Sequence, residues 1–265
     1  YKATRQKMPE DLAANIPYAL ELADALKIPV LRAEGFEADD VMGTLARLGA
    51  AAGFSVYLAT PDKDAAQLVA PNVFLYRPAH AGDAAEIYDE KKVCEHWRLS
   101  SPAQMIDYLA LAGDASDNIP GIKGVGEKTA ADLLARYGTV EGILAHAAEL
   151  KGKLAERVGN GRKDAEISKF LTTIRTDVPL APDWEACRCG GFDREKLAKV
   201  CAKYELARFA REMLAPAEMA ALSAQTGKSL ATLADVPHAY GLVTTEAQAR
   251  ALLDELMKEP RIAFD

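Results

Sequence analysis

Cysteine and histidine are both scarce in this sequence, with four of each among 265 residues. Cys94, Cys187, Cys189 and Cys201 have neither the spacing of a zinc site nor the pattern of a disulfide framework, and the four histidines do not cluster with them. Reduced thiols in a cytosolic protein are the expectation, with no role for any of them. Long apolar runs are missing too, so no segment reads as a membrane span. An excess of positive charge is also lacking. A net charge of −7 argues at first against a nucleic-acid partner, because nonspecific affinity for DNA comes mainly from neutralising phosphates. There is no internal repeat. The chain opens on Tyr1-Lys2 without an initiator methionine or signal peptide and closes on IAFD, so both ends read as cuts in a longer chain.

The composition is otherwise that of a globular protein, with 49% hydrophobic and 27% charged residues, and the length fits one full domain plus part of a second. Charge is unevenly placed. Lys2, Arg5 and Lys7 form a basic start, and residues 151–175 carry seven basic residues against Glu156, Asp164 and Glu166, so these segments could track a phosphate backbone.

Apolar spacing and turn residues divide the chain into elements. Residues 8–27 read as a helix bent at Pro17, Ile28 to Arg32 as a strand, and the segment from Val41 to Gly53 as a helix. Phe54 to Ala59 and Val73 to Tyr76 read as buried strands, with a short helix between them running to Leu68, and Pro102 to Ala112 reads as a helix ended by Gly113. This alternation predicts an α/β fold with a mostly parallel sheet flanked by helices over residues 1–113. Glu127 to Tyr137, Thr139 to Ala145, Lys163 to Ile174 and Arg194 to Leu214 are helical patterns, which makes residues 114–210 an all-helical region. Residues 211–238, rich in Ala, Ser and Thr, read as a linker. A strand at 239–243, a helix over 245–258 and a strand at 261–265 then begin a second domain.

Seven carboxylates fall in three groups at predicted element ends: Glu37, Asp39 and Asp40; Asp62 and Asp64; Asp114 and Asp117. Gathered in one crevice, they would repel one another unless a cation lies between them. Hard oxygen ligands suit Mg²⁺ or Mn²⁺ rather than zinc, and two ions would serve in-line attack on a phosphodiester. The plainer reading is that such residues simply cap helices, and it fits Asp39 or Asp64 taken singly. Beside the last group runs a glycine-punctuated turn. Gly121, Gly124 and Gly126 can take backbone angles closed to other residues, so that amides point outward at the start of a helix, and Lys123 and Lys128 add positive charge. That combination fits a sugar-phosphate backbone better than a small neutral ligand, and it exceeds the single glycine that an ordinary helix connection needs.

The stretches YKATR, EADD, TPDKDAAQLV and DYLALAGDASDNIPGIKGVGEKTA, in that order over roughly residues 1 to 210, resemble the 5′ nuclease domain of bacterial DNA polymerase I, within the flap endonuclease superfamily. The resemblance implies a PIN-like nuclease fold, with all seven carboxylates holding two Mg²⁺ ions. It makes residues 121–126 a helix-hairpin-helix that grips duplex DNA, often with K⁺ on its carbonyls. Tyr1, Lys2 and Arg5 would lie on an arch around the 5′ strand, with Lys2 and Arg5 serving catalysis and Lys2 facing the scissile phosphate. The implied substrate is double-stranded DNA with a 5′ flap or a nick, handled by a monomer in the bacterial cytoplasm near the nucleoid. Residues 239–265 would open a 3′–5′ exonuclease-like domain. Family members also carry an N-terminal strand with a metal-binding aspartate, and a second aspartate before the YKA motif, so reduced activity is expected of a chain starting at Tyr1. Two rival readings stand beside this one: a catalytically silent, structure-specific DNA-binding module, and an RNA-processing nuclease of similar acidic fold.

Overall fold

The computed structural model describes residues 7–78, 84–215 and 243–258. Its contacts separate the chain into two compact units, Tyr1–Phe192 and Asp193–Asp265.

In the first unit, helix α1 (Glu10–Ala25), with Pro17 inside it, precedes helix α2 (Ala38–Ala51). A three-stranded sheet comes next in the order β1 (Val56–Ala59), β2 (Val73–Arg77), β3 (Glu86–Tyr88). β1 runs parallel to β2 with Val56 opposite Val73, and β3 returns antiparallel with Tyr88 opposite Leu75. The alternation in β2 buries Val73 and Leu75. A 3₁₀ helix (Lys63–Leu68) joins β1 to β2 as the sequence predicts, and α3 (Glu90–Trp97) comes after β3. The core gathers on α4 (Met105–Ala112), whose Met105, Leu109, Ala110 and Leu111 are fully enclosed. Around it stand α5 (Glu127–Tyr137), α6 (Val140–Ala145), α7 (Lys153–Asn160) and α8 (Arg162–Thr172).

Several elements differ from the sequence reading. Ile28 to Arg32 forms no strand. Its Ile28, Val30 and Leu31 are exposed, and β1 pairs only with β2 among the described residues, so the segment has no neighbour to take its backbone groups. β3, α3 and α7 are absent from the sequence reading; the three residues of β3 are too few for a periodic signal, and α3 and α7 are little more than two turns each. Pro102–Gln104 is a 3₁₀ turn that leads into α4 rather than part of it.

In the second unit, the predicted helix from Arg194 to Leu214 is two, α9 (Arg194–Lys203) and α10 (Ala207–Met213), parted where Glu205 takes φ +57°. A further helix, Glu246–Leu256, has the Thr245 hydroxyl accepting from the Gln248 amide at its start. Residues 216–242 and 259–265, hence most of the predicted linker and the two terminal strand assignments, lie outside the described residues.

A partly buried ion pair fastens the helical layer of the first unit. Asp107 on α4 accepts from Lys169 Nζ of α8 at 2.7 Å and from the Val140 amide that opens α6 at 3.0 Å, while Lys169 also reaches Glu141 at 2.8 Å. Removing the Asp107 carboxylate leaves the Val140 amide without its acceptor and Lys169 with Glu141 alone, at a cost of about 2 kcal/mol. Asp107→Ala is therefore expected to lower unfolding stability by about that amount in a urea titration. A loss under about 0.5 kcal/mol would mean that water replaces the carboxylate freely.

Candidate metal centre and nucleic-acid interface

Each acidic group is held by the end of an element. Glu37 is the N-cap of α2 and Asp40 reaches back to its amide at 3.2 Å, closing a capping box that also puts Asp39 in the first turn. Asp62 lies just past β1 and starts the 3₁₀ helix, accepting from the Asp64 amide at 3.0 Å. Asp114 and Asp117 lie past the end of α4 in a tight loop that Asp114 closes with Ile119 through paired backbone bonds of 3.0 and 2.7 Å. Glu37, Asp40 and Asp62 do cap helix starts, whereas Asp39 and Asp64, the two residues that capping fits from sequence, sit inside the first turn of their helices, and capping does not account for the crowding of Asp64.

Glu37, Asp39, Asp40, Asp64 and Asp117 line one cavity of about 360 Å³ together with residues 170–175. Asp62 and Asp114 are not on its wall, yet both act on Asp64. Burial, then Asp62, Asp114 and Asp117, push the Asp64 carboxyl up to about 7 against the opposing pull of Lys63. Its Oδ1 is buried with no hydrogen-bond partner in the protein. An enclosed carboxylate oxygen without a donor, among further carboxylates, fits a hard divalent cation as its missing partner. Among the described residues no three side chains stand close enough to form a ready-made cage. Magnesium retains several waters and needs only one or two direct carboxylates, so a looser ring of acids suits it.

Two cations of this site escaped the sequence reading. Lys63 Nζ lies 3.0 Å from Asp114 Oδ2. Although burial opposes it, the Ser116 hydroxyl and amide and the Lys63 ammonium together hold the Asp114 carboxyl below its ordinary value. Arg175 donates its amide to Asp40 Oδ1 at 2.8 Å, and its guanidinium lies 5.0 Å above the Phe36 ring. The signal for Lys63 was present, a lysine between two aspartates, whereas Arg175 reaches Asp40 across 135 positions.

The charge crowding gives a direct expectation. In metal-free protein, Asp64→Asn is expected to raise stability by roughly 1–3 kcal/mol, because a buried, repelled charge is removed. Millimolar Mg²⁺ is expected to raise the melting temperature of the wild type by roughly 5 °C and that of the variant by much less. Thermal unfolding with and without Mg²⁺ checks both; a less stable variant in chelator would contradict the crowding.

The turn beyond Asp117 stands on two apolar feet, Ile122 and Val125, which are 2% and 3% exposed. Between and after them Lys123, Gly124, Gly126 and Lys128 face outward. Gly121 has φ +56° and Gly124 φ +82°, as the turn requires. Gly126 departs from the expectation. Its φ of −98° and ψ of 179° are open to any residue, and a Cβ there would meet nothing. The Gly121 amide is not outward either, since it donates to the Ser168 hydroxyl at 3.0 Å. What remains for an anion is the N-terminus of α5, whose N-cap Gly126 offers no side-chain cap and which has the two lysines beside it. The Gly124 carbonyl accepts from Arg157 Nη1 at 2.9 Å. Tyr1, Lys2 and Arg5 lie outside the described residues.

A model described as the 5′–3′ exonuclease N-terminal resolvase-like domain matches residues 1–98, and one described as the 5′–3′ exonuclease C-terminal SAM fold matches residues 100–195. The chain belongs to the 5′–3′ exonuclease family. Among relatives of this chain, DNA polymerase I of Synechocystis sp. is 40% identical over 215 residues, covering 79% of the chain and 22% of the relative. DNA polymerase I of Bacillus caldotenax is 38% identical over 98% of the chain and 29% of the relative. The chain therefore spans less than a third of the length of either. The T5 D15 protein co-crystallised with metal ions shares the fold, with a TM-score of 0.56 and 22% identity over 77% of this chain and 75% of that one. No described helix is long and apolar enough to cross a membrane.

Proposed function

We propose that this 5′–3′ exonuclease hydrolyses phosphodiester bonds at 5′ flaps and nicks in duplex DNA, as part of a DNA polymerase I serving replication and repair. The observation that carries the reading is Asp64, whose Oδ1 is buried without a donor amid like charges, in the same compact unit as a helix start with no side-chain cap, flanked by lysines. Glu37, Asp39, Asp40, Asp62, Asp64, Asp114 and Asp117 would hold two Mg²⁺ ions, and Mn²⁺ suits the same oxygens. Such ions supply an activated water and stabilise charge on a leaving oxygen. The chain's own residues do the rest. Lys63 and Arg175 keep Asp114 and Asp40 in place. Lys123 and Lys128, with the first amides of α5, hold the duplex backbone, and Gly124 leaves room for Arg157 behind the turn. Tyr1, Lys2 and Arg5 hold the 5′ strand, with Lys2 and Arg5 meeting charge on the reacting phosphate. A monomer in the bacterial cytoplasm, at the nucleoid, suits this work.

The K⁺ ion implied by the resemblance fits less well. Of the carbonyls of the turn, that of Gly124 already accepts from a guanidinium and that of Ile122 from the Val125 amide.

The test is cleavage of a 5′-flap duplex, a nicked duplex and an RNA of matching sequence by the full-length protein, with Mg²⁺ and in chelator. Mg²⁺-dependent cutting of the two DNA substrates is expected. Binding without cutting would make the protein a silent DNA-binding module, and preference for RNA would make it a processing nuclease.

A further inference from the structure

The turn between α4 and α5 is clasped from behind by the junction of α7 and α8. Ile122 seats on Gly161 so closely that a Cβ on that glycine would stand 2.7 Å from Ile122 Cγ2. From this fixed base Arg157, on α7, lies flush against the backbone of Gly124. A Cβ at Gly124 would fall 2.8 Å from Arg157 Cζ, 2.9 Å from Nε and 3.0 Å from Nη1, and Nη1 donates to the Gly124 carbonyl at 2.9 Å. The two residues stand 33 positions apart, so this is tertiary contact rather than local turn chemistry.

We infer that Arg157 is the resident cation of this turn, holding the Gly124 carbonyl with its guanidinium and leaving the turn no need of a monovalent metal ion. The inference rests on the reading of the turn as a duplex grip. A guanidinium remains charged at every working pH and carries five donors, so one can hold the carbonyl while others remain for a phosphate oxygen. A metal ion at the same oxygen would have to sit within a few ångströms of that fixed charge, where repulsion disfavours it. The cleft between the turn and α7, about 540 Å³, also presents Lys123 and Lys153, and on the acidic side Glu156 and Asp164. Arg157 therefore acts as a positioning residue. It holds the Gly124 peptide in the orientation in which Lys123 and the start of α5 meet the backbone, and it does so without an ion from solution.

Affinity of the full-length protein for a nicked duplex, read by fluorescence anisotropy at constant ionic strength in KCl, NaCl or tetramethylammonium chloride, tests this. Wild-type affinity is expected to agree within about twofold across the three salts. Arg157→Ala is expected to bind roughly tenfold more weakly in tetramethylammonium, which cannot enter the turn, and to recover severalfold in K⁺. Arg157→Lys, which keeps the charge and guards against a folding defect in the alanine variant, is expected to remain insensitive to the choice of salt. Wild-type binding that is several times tighter in K⁺ overturns the inference, because the turn then takes an ion despite Arg157. So does an Arg157→Ala loss equal in all three salts, which marks an ordinary phosphate contact, or no loss at all. Absence of wild-type binding in every salt would instead overturn the duplex-grip reading beneath it.

Discussion

Replacing Asp117 with alanine in the full-length protein is expected to slow flap cleavage roughly a thousandfold or more while leaving flap affinity within about threefold. Asp117 is 9% exposed, lines the acidic cavity and is one of the charges that raise the Asp64 carboxyl. Its side chain sits where a cation is needed rather than on the lysine-bearing turn, so its removal strikes the chemical step and spares the grip. Asp64→Ala is expected to behave in the same way. Asp114→Ala should show the same loss of rate together with some loss of stability, because Lys63 and Ser116 are left without their acceptor. Single-turnover cleavage at saturating protein, set beside equilibrium binding of the same flap, separates the two quantities. Cleavage retained in Asp117→Ala would remove the acidic cavity from the reaction.

Gly121→Val is expected to perturb the fold more than any other substitution in the turn, destabilising the protein by roughly 4 kcal/mol and weakening duplex binding about tenfold. The position has φ +56°, which a β-branched residue resists, and an added Cβ would lie 2.4 Å from the Gly113 nitrogen and 2.7 Å from the Ala112 carbonyl carbon. Both neighbours are backbone, so no side chain can swing away. The turn would have to lift off α4, breaking the Gly121 bond to Ser168 and the 2.8 Å bond from the Ile122 amide to Leu111. Gly126→Ser is the matched control, expected to stay within about 0.5 kcal/mol because its backbone is extended and serine is a good N-cap. Denaturant unfolding and duplex affinity of both variants check this pair. Equal stability of the two would show that the turn has more room than its geometry gives it.

Those two glycines also mark how far sequence reasoning carries. Glu127 to Tyr137 was legible to the residue because Gly126 and Gly138 punctuate a clear apolar face, and the three acidic groups were legible because carboxylates at element ends are short-range features. Gly126 resembled its neighbours in type alone; only the backbone shows that Gly121 and Gly124 need to be glycine and Gly126 does not. Ile28 to Arg32 has the composition of a strand, but a strand is made by its neighbour, and no local pattern reports one. β3, at three residues, is too short to announce itself. The contacts that shape the site most, Arg175 to Asp40, Lys169 to Asp107 and Arg157 to Gly124, join residues 135, 62 and 33 positions apart, beyond the reach of any motif.

That these carboxylates hold divalent ions is open to a direct count. The quantity is the number of Mn²⁺ ions bound by the full-length wild type minus the number bound by an Asp64→Asn, Asp117→Asn double variant, since sites elsewhere in the protein cancel. Both substitutions keep side-chain volume and remove charge. Calorimetric titration is predicted to show about two fewer ions in the variant, in line with a two-ion site; equal numbers would contradict the assignment of the metal to this cavity.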